Sequence, residues 1–214
     1  ENWGAPLRRI GVAVAEIARR FPEYLVVFPV HANPLVREQM LPAIGGLDNV
    51  LVCDSLDYPE FVHAQKWARI VLTDSGGVQE EAPSLAKPVL VLRDNTERPE
   101  AVEAWTVKLV GTQVGNIVAE VSALIDDPAR YEAMSKAVNP YGDGRAGERS
   151  AAAIAELLGV GQRIPEFRPR CHSETGSGMD RSSLEGEVEE LLSLVVVLLS
   201  EGVSPPAVGA GRLD

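Results

Sequence analysis

The sequence predicts an α/β fold, a parallel sheet with helices on both faces. Three observations predict it. Short, continuous runs of β-branched and apolar residues recur along the chain. Segments with apolar residues three or four apart lie between them. Most of these runs end in a stretch rich in polar residues, Gly or Pro. Strands that alternate with helices pair in parallel, because each helix carries the chain back to the edge where the next strand starts.

The elements follow in order. Leu7, Ile10, Val14 and Ile17 mark a helix over 7–20 with one apolar face, and Pro6 suits its first turn, where an amide has no partner to lose. Tyr24–Phe28 is short, apolar and bounded by Pro22 and Pro29, so it reads as a strand buried on both faces. Val50–Cys53, Ile70–Thr73 and Val89–Leu92 have the same character, and Thr106–Val110 is a weaker fifth. Helical stretches are expected near 34–41, 58–67, 78–86 and 99–104, and further helices over 116–126, 128–137 and 146–158.

The character changes past about residue 165. Residues 171–214 carry eight acidic and two basic residues. Cys171–Ser183 reads as a Ser/Gly-rich linker, Leu184–Ser200 as one amphipathic or coiled helix, and Ser204–Asp214 as disordered. The expected division is therefore a domain over 1–167 and an acidic, partly helical or disordered tail over 168–214.

Composition excludes several functions. The chain has 214 residues, 45% apolar content and a net charge of −11. That is the globular mixture, enough for one domain with an appendage. A strongly acidic chain lacks the basic face that nucleic acid or an anionic membrane requires. No apolar run reaches the roughly 18 residues of a membrane-spanning helix. Two cysteines make no disulfide framework, and three unclustered histidines make no zinc site. Glu1-Asn2-Trp3-Gly4 has neither an initiator Met nor signal-peptide character. That points to a start inside a longer protein or after processing, in a reducing, cytoplasmic setting.

Ligands of parallel sheets lie beyond the carboxyl ends of the strands. The segments to search are therefore Pro29–Pro34, Asp54–Pro59, Asp74–Glu81 and Arg93–Pro99. The third is the most informative. In Leu72-Thr-Asp-Ser-Gly-Gly-Val-Gln-Glu-Glu81 a strand ends, a Gly pair is expected to turn the chain, and a helix begins. Free amides and the helix dipole at such a start favour an anion. Gly76 and Gly77 would let a phosphate approach the backbone, and Ser75 adds a hydroxyl. The plainer alternative is an ordinary turn with Ser75 or Asp74 capping the helix. The stretch matches neither the P-loop nor the dinucleotide fingerprint.

Glu81 can accept hydrogen bonds from ribose hydroxyls, whereas Glu80 reads first as a charge favouring the helix N-terminus. Arg93 and Arg98 could clamp an anion held at the Gly pair, or pair with glutamates in a solvated loop. His31 can exchange a proton near neutrality, or serve as a structural hydrogen-bonder. Phe61 can stack on a base, although a core Phe is the commoner outcome. Asp74-Ser-Gly76 is no nucleophile elbow, and Ser84-Leu-Ala-Lys87 has no companion β-lactamase motif.

Several blocks, in order, resemble the C-terminal half of the non-hydrolysing UDP-N-acetylglucosamine 2-epimerases. They are Phe28-Pro-Val-His-Ala-Asn-Pro34, Leu72–Leu85, Lys87-Pro-Val-Leu-Val-Leu-Arg-Asp94, Thr96-Glu-Arg-Pro-Glu-Ala101, Lys108-Leu-Val-Gly-Thr112 and Asn139-Pro-Tyr-Gly-Asp-Gly144. The resemblance covers Glu1 to about Phe167. It implies a Rossmann-like domain, the second half of a two-domain GT-B-type enzyme that interconverts UDP-GlcNAc and UDP-ManNAc. The family's chemistry is elimination of UDP across C1–C2 of the sugar and its re-addition. No metal or redox cofactor takes part, and the catalytic acids belong to the first domain, so the resemblance assigns no catalytic residue here.

Carried over residue by residue, Ser75, Gly76 and Gly77 would hold the diphosphate and Glu81 the ribose hydroxyls. Phe61 would lie beside the uracil, and Arg98 would meet the diphosphate or sugar. His31 would face the cleft near an activating second UDP-GlcNAc. The implied ligands are UDP-GlcNAc, UDP-ManNAc and UDP, and the whole enzyme would be a cytoplasmic homodimer. Ala86 and Trp105 stand where the family has Gly, and the Trp105 ring is expected to crowd its surroundings. A hydrolysing epimerase, a GT-B glycosyltransferase half-domain and a non-catalytic remnant remain open at this point.

Overall fold

The structure is a computed structural model. It describes residues 4–168 with their side chains and, among 195–200, the backbone and the Leu198 side chain. The elements are α1 (Ala5–Arg20), β1 (Tyr24–Val30), α2 (Pro34–Ile44), β2 (Val50–Asp54), α3 (Tyr58–Trp67), β3 (Ile70–Thr73), α4 (Gly76–Ser84), β4 (Val89–Val91), α5 (Pro99–Glu103), β5 (Val107–Leu109), α6 (Val114–Asp126), α7 (Pro128–Ser135), α8 (Ala146–Leu157) and β6 (Val195–Ser200). Elements are expected and found in the same order through α8, with ends shifted by a few residues.

The sheet runs β2-β1-β6-β3-β4-β5. The pairs β1–β2, β3–β4 and β4–β5 are parallel. Both faces are covered, and the strand residues divide between them with period two. Val26, Phe28, Val30, Ile70, Leu72, Leu90 and Leu92 point into one core with α1, α2 and α6. Val27, Val71, Val89 and Val91 point into the other, with Val78 and Ala82 of α4 and Ala101 of α5.

Two expectations need correction. The sheet is mixed, because β6 runs antiparallel to both β1 and β3. Residues 195–200 are also extended, where a helix was expected across Leu184–Ser200. The run Val195-Val-Val197 is β-branched, which disfavours helix and suits a strand with neighbours on both sides. Leu198 is fully buried, and its carbonyl accepts from the Arg69 amide at 2.7 Å. Residues 184–194, the linker Cys171–Ser183 and the end Ser204–Asp214 lie outside the described residues.

Local chemistry sets the helix starts at the carboxyl ends of the strands. Asn33 Oδ1 accepts from the Leu35 amide at 2.9 Å, and Asp57 Oδ1 from the Glu60 amide at 2.9 Å. Pro34 and Pro59 sit in the first turns of these helices, where no donor is lost. Trp105 crowds nothing: its side chain is exposed, while its backbone takes φ 60°. Ala86, the other position where the family has Gly, takes φ 57°.

Candidate anion site at the start of α4

The site is built from the β3–α4 connection. Thr73 closes β3, and its hydroxyl accepts from the Ser75 amide at 3.0 Å. Ser75 is the N-cap residue, with φ −77° and ψ 131°, yet its hydroxyl makes no capping hydrogen bond. The first turn of α4 is thus left without a side-chain cap, which is the condition for an anion-binding helix start. Asp74 and Ser75 are buried at the base, Gly76 is half-exposed and Gly77 is exposed.

The Gly pair does not turn the chain, as the sequence suggested; it forms the first turn of the helix, and neither glycine has a positive φ. Internal crowding does not demand glycine either. A Cβ on Gly76 would meet nothing closer than Arg98 Nη2 at 3.7 Å, and one on Gly77 only Ser75 Oγ at 3.9 Å. What the pair supplies is uncovered backbone at the positive end of the helix dipole.

The loop after β4 is tied to this helix. Thr96 Oγ1 donates to Gln79 Oε1 at 2.7 Å and accepts from the Arg98 amide at 3.1 Å. Gln79 Nε2 in turn donates to the Ser75 carbonyl at 3.2 Å. The Arg98 side chain bonds through Nε to Glu80 Oε1. That bond first, and the carboxylate's charge further, hold the Arg98 guanidinium above its ordinary pKa against the opposing cost of burial. Asn139 fastens the other end of α4, its amide donating to Ser84 Oγ at 2.5 Å and to the Glu80 carbonyl at 3.4 Å.

Of the expected site residues, Ser75, Gly76, Gly77 and Arg98 come together. Arg93 is buried and pairs with Glu97 at 3.8 Å. Glu81 is half-buried one turn into α4. Phe61 is half-buried in α3 and packs against the core that contains Val78. His31 Nδ1 accepts from the Asn33 amide at 3.0 Å, so that nitrogen serves the start of α2. The residues missed from sequence are Gln79, Glu80, Thr96 and Asn139. By sequence Glu80 has the place of a helix-dipole charge, and its pairing with Arg98 of the loop after β4 has no local signal.

Burial, then the Glu100 carboxylate, pushes the Tyr141 hydroxyl up to about 12, although Arg98 opposes this. Among the described residues no cluster of His, Cys, Asp or Glu could hold a metal ion. No described helix is long and apolar enough to cross a membrane.

Comparison with known proteins gives a consistent picture. A family model described as UDP-N-acetylglucosamine 2-epimerase matches residues 1–155. The chain is 52% identical over 154 residues to the UDP-N-acetylglucosamine 2-epimerase of Yersinia pestis, covering 72% of this chain and 41% of that protein. The chain therefore spans about two fifths of the length of the curated relatives it matches. Its fold is similar to that in the S. aureus MnaA–UDP co-structure, with TM-score 0.73 and 43% identity, covering 78% of this chain and 46% of the other. It is also similar to the UDP-GlcNAc 2-epimerase from Neisseria meningitidis bound to UDP-GlcNAc, with TM-score 0.68 and 45% identity, covering 73% and 41%.

Proposed function

This chain belongs to the UDP-N-acetylglucosamine 2-epimerase family, and from that premise we propose that residues 1–167 are the UDP-binding half of a non-hydrolysing UDP-GlcNAc 2-epimerase. The observation that carries this reading is the uncapped start of α4 with a guanidinium beside it. Main-chain amides and Ser75 Oγ can donate to a diphosphate there, and the Arg98 fork suits phosphate oxygens. Glu81, one turn further along, serves the ribose hydroxyls, and half-buried Phe61 offers a ring face to the uracil. His31 keeps Nε2 for the cleft, because Nδ1 is engaged.

The reaction of the whole enzyme is elimination of UDP from the nucleotide sugar and its re-addition, interconverting UDP-GlcNAc and UDP-ManNAc. In it this half holds the leaving group. An elimination is speeded by anything that stabilises charge on the departing diphosphate, which amides and a guanidinium do without moving a proton. The acids that act at sugar C2 lie in the other half, so this chain alone does not epimerise. The whole enzyme is a cytoplasmic homodimer. Titrating the chain with UDP tests the reading. The amide resonances of Ser75, Gly76 and Gly77 are expected to shift and saturate; if those three stay in place while UDP is raised to millimolar levels, the site is not a diphosphate site.

A further inference from the structure

We propose that Glu80 is a positioning residue of this site: through Arg98 Nε it aims the guanidinium at the diphosphate place over Gly76, rather than serving the helix end. The proposal deepens, and rests on, the UDP-binding reading.

A guanidinium has two edges that can meet an oxyanion, one made by Nε and Nη2 and the other by Nη1 and Nη2. Glu80 engages Nε. Nη1 makes only a long contact, 3.4 Å, to the Glu97 carbonyl. Nη2 is the atom nearest to the open space over Gly76. The carboxylate thus takes the inner corner of the fork and leaves the outer edge to an incoming anion. The backbone of Arg98 is fixed as well, since its amide is tied through Thr96 and Gln79 to the carbonyl of Ser75, the residue that opens the site. Main chain and side chain are therefore held from the same helix that presents the amides. Asn139 secures that helix at the Glu80 carbonyl.

A long, flexible arginine loses rotamer freedom when it closes on a ligand, and holding it beforehand removes that cost from binding. The opposing effect is that a carboxylate near a diphosphate repels it. Glu80 and Arg98 are both partly exposed, at 41% and 33% of their side chains, so the repulsion is screened and the ion pair offsets much of it. Positioning and repulsion predict opposite signs when Glu80 is removed.

The test titrates the full chain with UDP and, separately, with uridine, which has no diphosphate. Glu80→Ala is expected to weaken UDP binding about two- to tenfold and to leave uridine binding unchanged. Glu80→Gln, whose amide oxygen still accepts from Nε, is expected to keep most of the UDP affinity. With Arg98→Ala already present, adding Glu80→Ala is expected to cost nothing more, because there is no longer a side chain to aim. Tighter UDP binding in Glu80→Ala and Glu80→Gln would show that Glu80 acts by repulsion and overturns the proposal. Wild-type affinity in Glu80→Ala, or an equal loss of uridine and UDP, overturns it too. If the wild-type chain gains nothing from the diphosphate, binding UDP no better than uridine, the UDP site itself fails. That failure is distinct from wild-type binding that Glu80→Ala leaves unaltered.

Discussion

Arg98 Nη2 lies 3.7 Å from the point that a Cβ on Gly76 would occupy. A methyl group therefore fits there without displacing anything in the chain, yet it would stand between the guanidinium and the amides of the helix start. Gly76→Ala separates folding from binding for this reason. Gly76 is a helical residue without positive φ, so alanine is expected to leave stability unchanged or raise it by up to about 1 kcal/mol. UDP affinity is expected to fall about ten- to hundredfold, the loss of one hydrogen bond to a charged group at roughly 1.5–3 kcal/mol. Thermal unfolding and calorimetric titration of the same variant give both answers. Unchanged affinity would place the diphosphate elsewhere.

Ala86 and Trp105 are the non-glycine residues with positive φ among the described residues, at 57° and 60°. A side chain in that region costs roughly 1–2 kcal/mol. Ala86→Gly and Trp105→Gly are each expected to raise stability by about 0.5–1 kcal/mol, once the greater freedom of an unfolded glycine is subtracted. The Trp105 ring gives up little on removal, since 77% of the residue is exposed. A fall in melting temperature for both variants would show that these positions are not strained.

Much of this architecture was legible because both periodicities are strong. Val26, Phe28 and Val30 alternate with Val27, and both sets are buried, as a strand covered on two faces requires. The place of the candidate anion site was legible because a Ser-Gly-Gly run stands where a buried strand gives way to a helix. The resemblance also marked positions 86 and 105 as glycine places, but it did not say why; a backbone dihedral is invisible in a residue type until the turn is seen. Glu80 and Thr96 were hidden for another reason. Their partners, Arg98 and Gln79, lie 18 and 17 residues away across a strand, and no local pattern encodes that pairing. The strand β6 escapes a sequence reading because Leu191–Leu199 is apolar at every position but Ser193, and a run with one polar position carries no period to separate helix from strand.

Leu198 gives a direct test of that strand. It is fully buried, and β6 pairs with β1 on one side and β3 on the other, joining two parallel halves of the sheet. Leu198→Ala is expected to destabilise the chain by about 2–5 kcal/mol, the range for a buried leucine whose site closes only in part. Denaturant unfolding measures this. Amide exchange at Val26, Val27 and Ile70 to Thr73 is expected to quicken in the variant, because those residues face β6. A change below about 1 kcal/mol, the size of a surface substitution, would mean that β6 contributes little to the sheet.

Cys53 ends the apolar part of β2, and burial pushes its thiol up to about 11 from an ordinary 9.0, with the Asp54 and Glu60 carboxylates adding to the effect. The thiolate is the reactive form, so alkylation of the folded chain is expected to be slow at pH 8 and to climb until about pH 11. The sign for stability follows from which state holds the proton. Between the two values the unfolded thiol has ionised and the folded one has not, so this group lowers stability as pH rises through that window and has no effect below it. Cys53→Ala removes the term, and its stability is expected to fall less steeply above pH 9 than that of the parent. Iodoacetamide kinetics in a Cys171→Ser background isolate the single thiol. A rate that levels off near pH 9, as in the denatured chain, would show that the pocket around Cys53 neither excludes water nor brings the two carboxylates to bear.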